Sequence, residues 1–115
     1  MQRTVELKHV GAASQVRTLL HELIDRLEDR LRRFGRDAVS VHVVFEENSA
    51  HQLYRTSLTC HVPGHIVAAH EERRDPGAAI RKAFAEVERQ LERQKAVVRH
   101  ERLLRRVKRE RRKPA

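Results

Sequence analysis

The sequence predicts an α+β fold of order β-α-β-β-β-α, a four-stranded mixed sheet with two helices packed on one face. Three observations predict it. Apolar and polar residues alternate in four short segments, the period-two mark of half-buried strands. Two longer segments carry apolar residues at three-four spacing, the mark of amphipathic helices. Breaks between these segments fall at Gly11, Gly35, Pro63-Gly64 and Asp75-Pro76.

The first strand is Thr4-Val5-Glu6-Leu7-Lys8-His9-Val10, ended by Gly11. Ser14 is the expected N-cap of the first helix. Val16, Leu19, Leu20, Leu23, Ile24, Leu27, Leu31 and Phe34 form its stripe, and Gly35 closes it. Val39, Val41, Val43 and Phe45 mark the second strand. Tyr54, Thr56, Leu58, Cys60 and Val62 share one face of the third. Pro63-Gly64 is a tight turn, and residues 65–72 form the fourth strand. Asp75 caps the last helix with Pro76 at its first position. Ile80, Phe84, Val87, Leu91 and Val98 fall in one arc of that helix. The stripe thins after about Arg99, so residues 1–100 are expected to form the domain and 101–115 a basic tail, disordered without a partner. The first helix is a crossover, which makes strands one and two parallel neighbours, and strands two to four an antiparallel meander. With both helices on one face, the other face is open and polar, carrying His42, Arg55, Ser57, Thr59 and His61.

A chain of 115 residues with 39% hydrophobic and 36% charged content holds one lean, aliphatic core. Its aromatic residues are Phe34, Phe45, Tyr54 and Phe84, which argues against single-strand binding by base stacking, which needs exposed rings. Phosphate contact and shape recognition remain, as in binding to folded RNA. Cys60 stands alone, so no intramolecular disulfide forms and a cytoplasmic home is expected. No apolar run reaches the ~18 residues of a membrane helix, and no signal peptide is read at the N-terminus. The histidines His42, His61, His65 and His70 lack a metal-ligand motif and are read as sheet residues within reach of RNA. Cys60 is read as core. With no phosphate loop, nucleophile elbow or organised carboxylate pair, no catalytic site, cofactor or small-molecule substrate is expected.

Charge is the most informative feature. Residues 1–75 carry Lys+Arg 11 and Asp+Glu 11, whereas residues 76–115 carry Lys+Arg 14 and Asp+Glu 5. The second segment therefore holds the whole net charge of +9, which points to a surface built for a polyanion. Lys82, Arg89 and Arg93 fall nearly in line, opposite the core stripe of the last helix. They are spaced about 10 and 16 Å along its axis, a spacing that can follow a phosphate backbone. Arg81 and Arg99 flank the line and Lys95 lies further round. Glu88 and Glu92 offer the competing reading of a salt-bridged solvent face. On the first helix Arg26, Arg30 and Arg33 form a second row, interleaved with Glu22, Asp25, Glu28 and Asp29, which favours a salt-bridged face there.

The segment Leu58-Thr59-Cys60-His61-Val62-Pro63-Gly64 leading to Val67-Ala68-Ala69 resembles the ribosome hibernation-promoting factors, also described as ribosome-associated inhibitors or sigma-54 modulation proteins. The last helix carries the resemblance further, through Asp75, Ala78-Ala79-Ile80 and Val87-Glu88-Arg89-Gln90-Leu91, followed by Arg93 and Lys95. The chain departs from the family pattern at Gly77, Arg81, Lys82 and Glu86. The resemblance covers residues 3 to about 99 and implies a fold related to double-stranded RNA-binding domains. It implies a non-enzymatic factor of stationary phase or stress that binds the small ribosomal subunit and its rRNA and blocks the channel for mRNA and tRNA. Arg89, Arg93 and Lys95 are the RNA contacts it implies. It further implies a short form, without the second domain that pairs ribosomes, and a monomer off the ribosome. A structured-RNA-binding module acting off the ribosome is the alternative, and a domain whose tail binds an acidic protein is a third reading.

Overall fold

The computed structural model describes residues 1–9, 13–48 and 50–112. The elements are β1 (Gln2–Lys8), α1 (Ala13–Arg30), a short 3-10 turn (Arg36–Ala38), β2 (Ser40–Asn48), β3 (Leu53–Val62), β4 (His65–Arg73) and α2 (Pro76–Arg112). The sheet order is β1-β2-β3-β4. β1 and β2 run parallel, with Val5 opposite Val43, because α1 crosses over between them. β2, β3 and β4 form the expected antiparallel meander, in which Val43 faces Leu58 and Cys60 faces Val67.

Alternation decides which side of the sheet is covered. Val41, Val43, Phe45, Leu58, Cys60, Val62, Val67 and Ala69 point inward and are buried. Leu20, Ile24 and Leu27 of α1 and Ile80, Ala83, Phe84 and Val87 of α2 close over them. Burial of Cys60 pushes its thiol up to about 11, so it stays protonated and inert. The opposite face carries His42, Arg55 and His61, all exposed, with Ser57 and Thr59 half-buried between them. Ser57 Oγ lies 2.8 Å from His70 Nδ1 on this face.

Local signals explain most boundaries. The Asp75 carboxylate accepts from the Ala78 amide at 2.7 Å, and Pro76 opens α2, as a capped helix requires. Gly64 sits at φ 76 in the two-residue turn between β3 and β4, a left-handed position that follows Pro63 at little cost. Two local expectations differ. Ser14 lies inside α1, which starts at Ala13. Gly35 does not close the helix in a left-handed cap. It sits extended at φ -61, ψ 147, ahead of the 3-10 turn, and α1 ends at Arg30. Val10 and Gly11, the expected end of the first strand, lie outside the described residues.

As an edge strand, β4 leaves backbone groups without a ladder partner. Gln90 of α2 covers one such position. The Ala68 amide donates to Gln90 Oε1 at 3.3 Å, and Gln90 Nε2 donates to the Ala68 carbonyl at 2.9 Å.

α2 has 37 residues and continues through Arg112, well past the point where its core stripe thins. Residues 101–112 are thus helical where the sequence suggests a disordered tail, and Lys113 to Ala115 lie outside the described residues. The molecule measures 71 × 27 × 16 Å with a radius of gyration of 18.4 Å, against about 13 Å for a compact chain of this size. The excess is the end of α2, an arm in which Leu103 and Leu104 are 60% and 49% exposed.

Candidate nucleic-acid interface

Ion pairing sorts the cations of this protein into two groups. Several are held by carboxylates across the fold. Arg3 of β1 pairs with Asp25 at 2.6 Å and with Glu28 of α1. Arg32 pairs with Asp29, Arg55 with Glu72, and Arg73 with Glu71. These contacts balance the charge of the sheet and of the exposed side of α1.

The nine candidate cations lie on the helical layer and behave differently. Arg89 is held by Glu86, Nε donating at 2.9 Å and an Nη at 2.7 Å, a two-pronged contact. Glu86 also accepts from Gln90 Nε2 at 3.0 Å. The Arg89 and Gln90 donors draw the Glu86 carboxyl down to about 2. Arg30 of α1 reaches Glu88 of α2 at 3.4 Å. For the other seven (Arg26, Arg33, Arg81, Lys82, Arg93, Lys95 and Arg99) no carboxylate oxygen lies within 4.0 Å among the described residues. Their charge is available to an outside partner.

The candidates gather in three places. Lys82 and Arg93 stand exposed on the crest of α2, turned away from the core stripe, with the engaged Arg89 between them. Arg26, Arg30 and Arg81 line a depression between the two helices, over Leu23 and Phe84. Arg33, Lys95 and Arg99 line a second cleft where α1 ends, together with Arg102. The α1 row is therefore split between two depressions, and each is completed from α2. Arg81 also folds back over the first turn of its helix. A Cβ on Gly77 would lie 2.8 Å from its guanidinium nitrogen, so the missing side chain at 77 leaves Arg81 its place.

Arg102 is absent from the sequence-derived set because it falls in the presumed tail. Its place follows once α2 is continued: Lys95, Arg99 and Arg102 recur at four and three residues, one helical face. Among the described residues no three His, Cys, Asp or Glu side chains converge as metal ligands do. Among the described residues no helix is long and apolar enough to cross a membrane.

The fold and its segregated charge define a single-sheet α+β domain with a cationic helical layer. Residues 4–99 match the family described as sigma 54 modulation protein / S30EA ribosomal protein, and the chain belongs to this ribosome-associated family. The solved structure of a ribosomal subunit interface protein from Coxiella burnetii is similar, with TM-score 0.63 and 21% identity over 84% of this chain and 99% of that one. The N-terminal domain of Protein Y from Thermus thermophilus is similar with TM-score 0.64 and 22% identity, over 81% of this chain and 98% of that one. At these identities the two structures bear on the fold. No curated protein matches the chain.

Proposed function

We propose that this protein is a non-enzymatic hibernation factor that binds the small ribosomal subunit and inhibits translation. The observation that carries the reading is the set of seven candidate cations with no carboxylate oxygen within 4.0 Å among the described residues, spread over α1, the turn after it and α2 of a member of this family. Unpaired cations raise the local potential and release phosphate counterions when they bind RNA. Residues 1–100 form the ribosome-binding unit. Their helical layer meets rRNA phosphates and fills the channel used by mRNA and tRNA. The basic arm from 101 onward reaches further along the RNA. The factor acts in the cytoplasm, in stress and stationary phase, and is a monomer off the ribosome.

Co-sedimentation with purified small subunits, with and without mRNA and initiator tRNA, tests this. Binding that the two ligands displace is the expected outcome. Binding that persists in their presence excludes the channel, and no binding at physiological salt returns the chain to the reading of an RNA module acting off the ribosome.

A further inference from the structure

The turn after α1, the β3–β4 turn and the middle of α2 border a cleft of about 720 Å³. That size is in the range of small-ligand sites, ~300–1,000 Å³. Its inner wall is apolar, built from Phe34, Val62, Leu91 and Val98, of which Val62 and Leu91 are buried. Its rim is cationic, built from Arg33, Lys95, Arg99 and Arg102. None of the four has a carboxylate oxygen within 4.0 Å among the described residues. The Arg33 guanidinium lies over the Phe34 ring, 4.8 Å from its centroid, so a flat cation and a ring are already stacked at the edge. The Gln94 amide, a donor and an acceptor, lines the same wall.

Each simple occupant satisfies half of this lining. An inorganic anion uses the rim and leaves the apolar wall wet. An apolar molecule uses the wall and leaves four like charges uncompensated. The outer backbone of a duplex keeps its bases stacked away from the wall. We propose that the cleft takes one unstacked nucleotide of a single-stranded RNA segment. The base lies on the Phe34–Leu91–Val98 wall, the phosphate among the rim cations, and the base edge within reach of Gln94. The scarcity of aromatics speaks against single-strand binding by base stacking, and the cleft departs from that expectation because half-buried Phe34 gives its wall a ring. The identity of the RNA as ribosomal rests on the function proposed above; the chemistry of the cleft does not.

The test is an NMR titration of the ¹⁵N-labelled full chain with adenosine 5′-monophosphate, ribose 5-phosphate and single-stranded tetraadenylate. Adenosine monophosphate is expected to give saturable shifts centred on Phe34, Gly64, His65 and Lys95, with the tetranucleotide about tenfold tighter. Ribose 5-phosphate is expected to bind about fivefold more weakly, or worse, for want of a base. Phe34→Leu should weaken the monophosphate by a similar factor and leave the ribose 5-phosphate response unchanged. If that variant loses its fold, Lys95→Ala at the half-buried rim serves instead, weakening both phosphates. Equal response to ribose 5-phosphate and the monophosphate overturns the proposal. So do unsaturable shifts spread along the crest of α2, and a monophosphate that binds as tightly as the tetranucleotide. Small-subunit co-sedimentation of the same samples separates the two readings. A chain that seats the nucleotide but fails to pellet overturns the ribosomal function alone, and a chain that pellets without seating it overturns the cleft alone.

Discussion

Glu86 neutralises a cation that the sequence would offer to RNA. Its carboxylate takes both prongs of Arg89 and a donor from Gln90, and these donors pull its proton affinity down to about 2. The folded-state value is depressed from 4.5, so the pair's contribution to stability is present above about 4.5 and is lost as pH falls toward 2. The pair stands in solvent, so that contribution is small. Its larger effect is on charge. Glu86→Gln is expected to release Arg89, tighten small-subunit binding and steepen the salt dependence by about one unit of slope, with little change in melting temperature. Filter binding over a salt series checks this; an unchanged slope would mean that Arg89 makes no phosphate contact. At this scale the sequence reading was incomplete for a physical reason. The three-residue spacing from Glu86 to Arg89 permits an ion pair, but spacing alone does not say whether Arg89 turns to its neighbour or outward.

Strands, sheet order and helix faces were legible in the sequence because each rests on a periodicity that burial enforces. The far half of α2 was less so. Its inward stripe ends near Val98, and the remaining apolar residues, Val97, Leu103, Leu104 and Val107, are all exposed. Amphipathicity therefore gives no reason for a helix beyond Val98, yet the helix continues to Arg112. The reason is composition. Residues 99–112 contain no Gly or Pro and are rich in Arg, Leu, Lys and Glu, good helix formers. They also extend a helix that the core has already nucleated, which removes the main cost of a short isolated helix. The edge of β4 was equally hidden, since nothing in the spacing of Gln90 says that its amide reaches Ala68. Gln90→Ala is expected to cost about 1 kcal/mol, the loss of two backbone contacts partly replaced by water. Urea denaturation measures it, and a loss below a few tenths would mean that the edge is already well solvated.

The molecule as a whole separates its charge into layers. Residues 1–75, the sheet and α1 together, balance acids and bases, while the segment from Pro76 onward, α2 and its arm, holds the surplus of +9. Six to eight cations meeting phosphates would make affinity fall about a thousandfold or more between 50 and 200 mM salt. A change below tenfold over that range would show that charge contributes little and that shape or protein contacts dominate. That the surplus charge sits in the last segment was readable from the charge count, since a count needs no geometry. The clefts were not, because each joins residues of α1, or of the turn that follows it, to residues of α2 some fifty or more positions away in the chain.

The arm gives the protein an angular setting as well as a length. Lys95, Arg99, Arg102 and Arg106 belong to one unbroken helix, so the outermost cations are clocked against the innermost. A single residue inserted after Val98 advances everything beyond it by only ~1.5 Å but turns it by ~100°. Seven inserted residues shift it by ~10 Å and return it to nearly the same bearing. If RNA follows this face, affinity measured across an insertion series should oscillate with the helical repeat, and a steady decline would instead describe a tether whose direction does not matter.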